Sequence, residues 1–196
     1  MIGLTERELA IIQDQEFLLT KARASAKIYN ILSKTQDELK KIVDNSVLTE
    51  EQKKVFKSNK ISKGENYMGL PYQVLDYPAY FSQKDSFAFR TMFWWGNFFS
   101  STIQLEGQFL EHFREQIIKS LDELVKSEIF ICIGDDPWQY HFGKDNYTPL
   151  AHDHETFIVN CSFLKLSKKT GLGEWQDLPQ WSAKFLHQVL KILVPS

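Results

Sequence analysis

The sequence predicts a single α+β domain in which a mainly antiparallel sheet packs with helices and follows an N-terminal helical segment. Residues 5–45 contain no Gly or Pro and carry apolar side chains at three- and four-residue spacings, which is typical of helix. Residues 87–106 instead alternate around a Gly-Asn turn, which indicates a β-hairpin. Because helical and extended segments are grouped along the chain and do not alternate strictly, we expect an α+β fold.

The N-terminal helical segment begins at a predicted capping box formed by Thr5 and Glu8. Its apolar spacing is compatible with one long helix or with two helices that meet near residues 33–35. A second cap signal at residues 49–52 predicts a short helix that reaches about Lys57.

A polar stretch at residues 58–66 is predicted to be a loop. It would join a helical arm at residues 1–57 to an α+β body at residues 67–196. So short a loop does not by itself establish two domains, and we therefore treat residues 1–196 as one.

The strand predicted at residues 87–95 has largely apolar side chains on both faces. One face carries Phe87, Phe89, Thr91, Phe93 and Trp95, and the other carries Ala88, Arg90, Met92 and Trp94. This pattern predicts an interior strand that is covered on both sides. A two-residue turn at Gly96-Asn97 would pair it with residues 98–106 and place Arg90 opposite Ile103.

The rest of the body is predicted as an extended stretch at Tyr67–Phe81, where Pro71 and Pro78 exclude a helix, and as two helices and three short strands. Helices are expected at residues 107–127 and after Pro179, where apolar side chains recur at helical spacing. Strands are expected at residues 129–133, 138–142 and 155–166.

The charge distribution argues against nucleic acid as a partner. The net charge is −2, and residues 66–164 contain 6 basic and 13 acidic residues, for a net charge of −7 in that region. An acidic region repels a phosphate backbone and could attract cations. The simpler explanation is that the acidic surface keeps the protein soluble.

The sequence is predicted to be cytoplasmic, with no membrane partner. Glu6 and Glu8 stand where a signal peptide would carry basic residues, and no apolar run approaches the roughly 20 residues that span a bilayer. Cys132 and Cys161 lie in apolar runs outside any CxxC pattern, so we expect two buried free thiols.

A His-x-His motif is the main candidate for metal chemistry. In an extended strand, His152 and His154 would project from one face about 7 Å apart, where they could bind a divalent transition metal. The candidates for further ligands are His141, Asp135 and Asp136, with His187 more distant in the sequence. The simpler alternative is a polar strand entry with both imidazoles in solvent.

Asp135 and Asp136 also have an alternative role. They lie between Gly134 and Pro137 after a predicted buried strand, and carboxylates at the carboxyl end of a strand are a common place for catalysis or metal binding. Gly, Asp and Pro are turn formers as well, so the segment is more simply explained as a turn.

Arg90 stands in the middle of an apolar strand, where a guanidinium needs a carboxylate, a carbonyl or an anion. Pairing with an internal carboxylate such as Asp76, or stacking on Trp94, is the simpler explanation. Arg90 could instead clamp a carboxylate or phosphate of a ligand.

The aromatic run at residues 93–99 exceeds what one core face requires. Core packing is the simpler explanation, but one set of rings could line a pocket or a partner surface. On that hypothesis the ligand-binding residues are Arg90, Trp94, Trp95, Phe98 and Phe99.

The sequence contains no P-loop, GxGxxG, GxSxG or HExxH motif. The favoured hypothesis is therefore a non-enzymatic domain that binds a small molecule or a protein at these aromatic residues, with Arg90 as polar anchor. The helical arm would pack on the sheet or on a second copy, which would give a homodimer. The alternative is a metal-dependent hydrolase or oxygenase centred on His152 and His154.

Overall fold

The computed structural model describes residues 3–46 and 60–194. In these residues the chain forms an N-terminal helical region, a seven-stranded antiparallel sheet and further helices. The predicted α+β class with a mainly antiparallel sheet is therefore confirmed.

Two helices form the N-terminal region, α1 (Glu6–Gln13) and α2 (Gln15–Asp44). The predicted capping box is confirmed at the start of α1. The Glu8 backbone N–H donates to Thr5 Oγ1 at 3.2 Å, and the Thr5 N–H donates to Glu8 Oε2 at 2.7 Å. These bonds satisfy helix N–H groups that would otherwise have no partner.

The helical region breaks at Asp14 and not near residues 33–35. Asp14 has φ −81° and ψ 91°, and its Oδ1 accepts from the Phe17 N–H at 2.9 Å, so that it caps α2. Asp competes for backbone N–H groups and so favours a helix start over a helix interior. The short helix predicted at residues 49–57 lies outside the described residues.

The strands of the sheet are β1 (Ile61–Tyr67), β2 (Leu70–Phe81), β3 (Ser86–Trp94), β4 (Phe98–Glu106), β5 (Phe130–Cys132), β6 (Tyr147–Pro149) and β7 (Phe163–Thr170). Their spatial order is β1-β2-β3-β4-β7-β5-β6, and every pairing is antiparallel. β3 lies between β2 and β4, as the prediction of an interior strand requires.

Strand β1 occupies a stretch that was predicted as a loop. Its sequence, ISKGENY, is polar, and the strand lies at one edge of the sheet with three exposed residues. An edge strand can present polar side chains to solvent, so it leaves little hydropathy pattern. The loop prediction for residues 58–66 was wrong for the part that the structure describes.

The hairpin of β3 and β4 is confirmed, but its register is shifted by one residue. Arg90 pairs with Thr102 and not with Ile103. The connection has three residues, 95–97, and Gly96 within it has φ +70°. Glycine adopts this left-handed conformation without a steric penalty, which permits the longer loop.

The segment between β4 and β7 departs most from prediction. The predicted helix at residues 107–127 is divided at Ser120 into α3 (Gln108–Lys119) and α4 (Leu121–Val125). Residues 138–142 form no strand, whereas residues 147–149 do.

The first half of the strand predicted at residues 155–166 is a helix. A single 3₁₀ turn at His152–His154 leads into α5 (Glu155–Asn160), and only β7 is extended. The side chain of Asn160 donates to the Thr156 carbonyl at 2.7 Å. The β-propensity of Val and Ile is overridden here by local hydrogen bonding and by packing of one helix face.

The helices cover one face of the sheet and form the main core with it. α2, α3 and α6 (Leu178–Leu193) pack on this face. Phe87 and Phe89 point into it and are at most 1% exposed, which confirms the facing predicted for β3. The buried residues of α2 are Leu32, Thr35, Leu39 and Val43.

The opposite face of the sheet lies under an irregular stretch, residues 133–146, which we call the covering segment. Tyr140 of this segment packs in a small cluster with Val74, Met92 and Trp94. β3 is thus covered on both sides, as its apolar pattern predicted.

Gly107 is expected to tolerate no side chain. It has φ +60°, and an added Cβ would collide with Asp85 Oδ1 and with the Lys84 carbonyl oxygen. Gly107→Ala should lower the free energy of unfolding by about 1–3 kcal/mol, measured by urea denaturation. At Gly171 an added Cβ meets nothing within 4 Å, so Gly171→Ala should change the stability by less than about 0.5 kcal/mol. Equal effects of the two variants would contradict this account.

Candidate functional site

A pocket of about 290 Å³ opens between the second face of the sheet and the covering segment. Side chains at alternate positions of β2 and β3 share this face, because successive residues of a strand point to opposite sides. The pocket is lined by Tyr67, Tyr72, Val74, Arg90, Met92, Trp138 and Tyr140.

Arg90 provides the charge in the pocket wall. Its Nε and Nη2 donate to Oδ1 and Oδ2 of Asp76 at 2.7 and 2.8 Å, a bidentate ion pair in which each side chain is 15% exposed. The predicted pairing with Asp76 is confirmed. Burial alone would lower the pKa of Arg90, but Tyr140 and Asp76 outweigh it and raise that pKa, so the guanidinium stays charged.

The ring of Tyr140 contacts two cations. The Arg90 guanidinium is 4.7 Å from the ring centroid, and the Lys165 ammonium is 4.0 Å from it. The Tyr140 hydroxyl donates to Gln104 Oε1 at 2.8 Å. Because burial raises the pKa of Tyr140 well above its usual value, the phenol remains neutral and both contacts are cation–π contacts.

Trp138 forms the outer edge of the pocket. Its ring lies 5.8 Å from the Arg90 guanidinium and 6.0 Å from the ring of Phe81, and 51% of the residue is exposed. An exposed indole beside a cation offers a surface on which a planar ligand can stack.

The covering segment is fixed by specific hydrogen bonds. The Tyr67 hydroxyl accepts from the backbone N–H groups of Tyr140 and His141 at 2.7 and 3.0 Å. Asp136 accepts from the Trp138 N–H at 2.8 Å, which closes the turn before the aromatic residues. These bonds hold Trp138 and Tyr140 in place although the segment has no regular secondary structure.

Lys165 of β7 is fully buried and contacts the Tyr140 ring. Its ammonium donates to the Gln139 carbonyl and lies 5.3 Å from the Tyr147 ring. Burial, and to a smaller extent the charge of Arg90, lower the pKa of Lys165 to about 8. No ion pair of Lys165 with a carboxylate occurs among the described residues.

Four buried polar atoms on this face have no hydrogen-bond partner among the residues that the structure describes. They are Trp94 Nε1, Ser100 Oγ, Gln104 Nε2 and Tyr147 Oη. Such groups in native proteins are typically satisfied by water or a ligand. Together with Arg90 and Lys165 they make the second face of the sheet much more polar than the helix-covered face.

The His-x-His motif does not have the geometry that was predicted for it. His152 and His154 lie in a 3₁₀ turn, not in a strand. The His152 side chain is 64% exposed with its Nδ1 3.3 Å from Asp122, whereas His154 Nδ1 accepts from the Ala151 N–H at 3.1 Å. Each imidazole thus has a separate local environment.

The proposed further metal ligands do not complete a site. His141 Nδ1 accepts from the Gly143 N–H at 3.2 Å, and Asp136 accepts from the Trp138 N–H within its turn. Asp135 is exposed in the covering segment, and His187 is exposed on α6. In residues 3–46 and 60–194, no three His, Cys, Asp or Glu side chains come together so that they could hold a metal ion.

The five residues predicted to bind a ligand divide between the two faces of the sheet. Arg90 lines the pocket, and Trp94 and Phe98 pack beside it with ring centroids 5.5 Å apart. Trp95 and Phe99 instead pack against the helix-covered core, where Phe99 is fully buried.

Sequence reasoning missed the aromatic walls of the pocket. Tyr67 and Tyr72 flank a turn in a stretch that was predicted only as extended, and Trp138 and Tyr140 lie in an irregular segment. The alternation of side chains along β2 could have revealed part of these walls. Tyr72 and Val74 stand on the same side of β2 as Asp76, the partner of Arg90.

A larger groove of about 600 Å³ lies between α2 and β1, and its buried polar side chain, Gln73, already donates to the Ser25 carbonyl at 3.0 Å. Its charged pair, Lys21 and Glu65, is separated by 3.4 Å and the side chains are 37% and 70% exposed. Water screens such charges strongly. The smaller pocket at Arg90 is therefore the better candidate for specific recognition.

Comparison with protein-family models, with curated proteins and with solved structures found no match to this chain. Among the described residues, no helix combines the length and the apolar character needed to cross a membrane. The function is therefore inferred from the geometry of the pocket.

Proposed function

We propose that this protein is a binding domain for a small, planar, anionic molecule, held in the pocket beside Arg90. The observation that carries the proposal is a charged, largely buried guanidinium in the wall of an aromatic pocket. A ligand pocket typically combines apolar and aromatic walls with a small number of fixed polar groups, and this one does.

The polar groups favour an anion. A guanidinium has five N–H donors, and Asp76 engages only Nε and Nη2 of Arg90. None of the hydrogen bonds among the described residues uses Arg90 Nη1. Around the Tyr140 ring lie two cations, Arg90 and Lys165, whereas the carboxylate bound there is that of Asp76, so an anion would offset the excess of positive charge around this ring.

The apolar groups favour a planar body. Tyr67, Tyr72 and Trp138 present rings, and Val74 and Met92 present aliphatic surface beneath them. Aromatic rings contribute most when they contact another flat ring edge-on or offset. A volume of about 290 Å³ is at the small end of ligand pockets, which suits a molecule of one or two fused rings.

The proposal predicts that 2-naphthoate, an aromatic carboxylate, binds more tightly than its neutral analogue 2-naphthamide. Trp138→Ala should weaken 2-naphthoate binding about tenfold, because it removes the stacking surface. Trp175→Ala is the matched control, because Trp175 is also exposed, at 44%, and does not line the pocket. Isothermal titration calorimetry measures all four affinities.

Two results would contradict the proposal. One is equal binding of the carboxylate and the amide, which would remove the role of Arg90. The other is an equal loss of affinity in Trp138→Ala and Trp175→Ala, which would mean that binding occurs outside this pocket.

A further inference from the structure

The first part of the helical region buries no side chain in the described structure. Every residue from 3 to 20 is exposed, and α1 has no buried residue. The buried residues of α2 begin only at Leu32. We call residues 5–27, which comprise α1 and the first part of α2, the free arm; one side of it, at Lys21 and Ser25, borders β1 and β2.

The free arm exposes an unusual amount of apolar surface. Seven large apolar side chains in it or next to it are between 42% and 63% exposed: Leu4, Leu9, Ile11, Ile12, Phe17, Leu18 and Leu19. Single exposed apolar residues are normal, but seven within residues 4–19 indicate an interaction surface. A helix that buries no side chain is also only marginally stable in water, so a partner would stabilise it.

The charges of the free arm are segregated along its length. Residues 3–16 contain four acidic residues, Glu6, Glu8, Asp14 and Glu16, and one basic residue, Arg7, for a net charge of −3. Residues 17–30 contain three basic residues, Lys21, Arg23 and Lys27, and no acidic residue, for a net charge of +3. The charge reverses at Phe17, which is also where the exposed apolar side chains are densest.

This arrangement is self-complementary under a two-fold rotation. In an isologous interface, residue i of one copy contacts residue j of the other while j contacts i. If two arms lie antiparallel with the axis near Phe17, the acidic half of each arm lies along the basic half of the other. Phe17, Leu18 and Leu19 of both copies would then meet at the centre of the contact.

We propose that the free arm pairs antiparallel with the free arm of a second copy of this chain and forms a homodimer. The apolar side chains supply the buried area, and the segregated charges fix the antiparallel orientation, because a parallel pair would place like charges side by side. This surface shares no residue with the lining of the pocket at Arg90, so the dimer and the proposed binding function can be tested independently.

The orientation can be tested with two charge-reversed variants of the full chain. One is Glu6→Lys/Glu16→Lys, and the other is Arg23→Glu/Lys27→Glu. The internal Glu16–Arg23 pair, at 2.6 Å, is broken in both, but its side chains are 75% and 56% exposed, so it contributes little to folding. Neither variant touches a buried residue, and both should keep the wild-type Tm.

Sedimentation equilibrium of the wild type should give twice the chain mass of 22.9 kDa. Each reversed variant alone should have its dimer Kd raised at least about tenfold, because like charges then face each other. An equimolar mixture of the two variants should restore the wild-type Kd as a heterodimer.

Three outcomes would overturn the proposal. They are a wild type that remains monomeric at about 0.1 mM, a dimer that both reversed variants leave unchanged, and a mixture that stays monomeric. A monomer that instead co-sediments with vesicles of anionic phospholipid would assign the arm to a lipid surface. The vesicle measurement uses the same wild-type protein.

Discussion

Arg90→Met is expected to lower the free energy of unfolding by about 3–5 kcal/mol, because it leaves the Asp76 carboxylate buried without its partner. The two side chains are joined by bidentate bonds of 2.7 and 2.8 Å and are each 15% exposed. Removal of one member of such a pair forces the other to remain charged without compensation or to bind a proton. Urea denaturation at pH 7 measures the change.

The double variant Asp76→Leu/Arg90→Met is the control that separates charge from packing. Replacement of both partners by apolar residues of similar volume is often neutral or stabilising. We therefore expect the double variant to recover most of the stability that Arg90→Met loses. If the double variant is as unstable as the single one, the loss comes from packing against Tyr140 and Trp138, and the assignment of a costly unpaired charge is wrong.

The second large effect is expected at Lys165 and depends on pH. Its pKa is about 8 in the folded protein and 10.5 in the unfolded chain. Below about pH 8 the lysine is charged in both states, and its burial penalises folding in full. Between pH 8 and 10.5 the folded state gives up the proton first, so the unfolded state binds more protons and stability rises with pH. The total gain from this residue is about 3 kcal/mol.

Lys165→Met isolates this contribution. Burial raises the pKa of Tyr140, Tyr147 and Cys132 above their usual values, and these groups lower the stability at high pH in wild type and variant alike. The measured quantity is therefore the stability of the wild type minus that of Lys165→Met, from urea denaturation. It should rise by about 3 kcal/mol between pH 8 and 10.5, and a flat difference would contradict a buried, charged lysine.

The elements that the sequence predicts best are those with a strong hydrophobic period. α2, β3 and α6 each bury a regular set of apolar side chains in the helix-covered core, so spacing alone locates them. The polar edge strand β1 lacks such a set, and α5 is too short for one. Both were predicted wrongly for that reason.

Part of the candidate site could also be predicted. A guanidinium in the middle of an interior strand requires a buried partner, and that requirement led to Asp76 fourteen residues earlier. The alternation of β3 correctly separated Arg90 and Trp94 from Phe89 and Phe93. The need of one charged side chain in an apolar strand for a partner thus gave more information about the site than any sequence motif.

The rest of the site depends on tertiary contacts that no local pattern encodes. Trp138 and Tyr140 are held near Arg90 by tertiary contacts, among them the hydrogen bonds of their segment to the Tyr67 hydroxyl on a strand more than seventy residues away. The predicted geometry of the His-x-His motif was wrong because it assumed that His152 and His154 lie in a strand. Once His152 and His154 lie in a helical turn, their side chains no longer share a face.

The most direct test of the pocket is NMR spectroscopy of ¹⁵N-labelled full-length protein titrated with 2-naphthoate. We predict that the Arg90 Nε–H and Trp138 indole N–H signals shift in a saturable way, while the Trp175 indole signal stays in place. A saturable shift at Trp175 with none at Arg90 would place the binding elsewhere. The absence of any shift at Arg90 and Trp138 up to about 1 mM 2-naphthoate would contradict the proposal that this pocket binds planar anions.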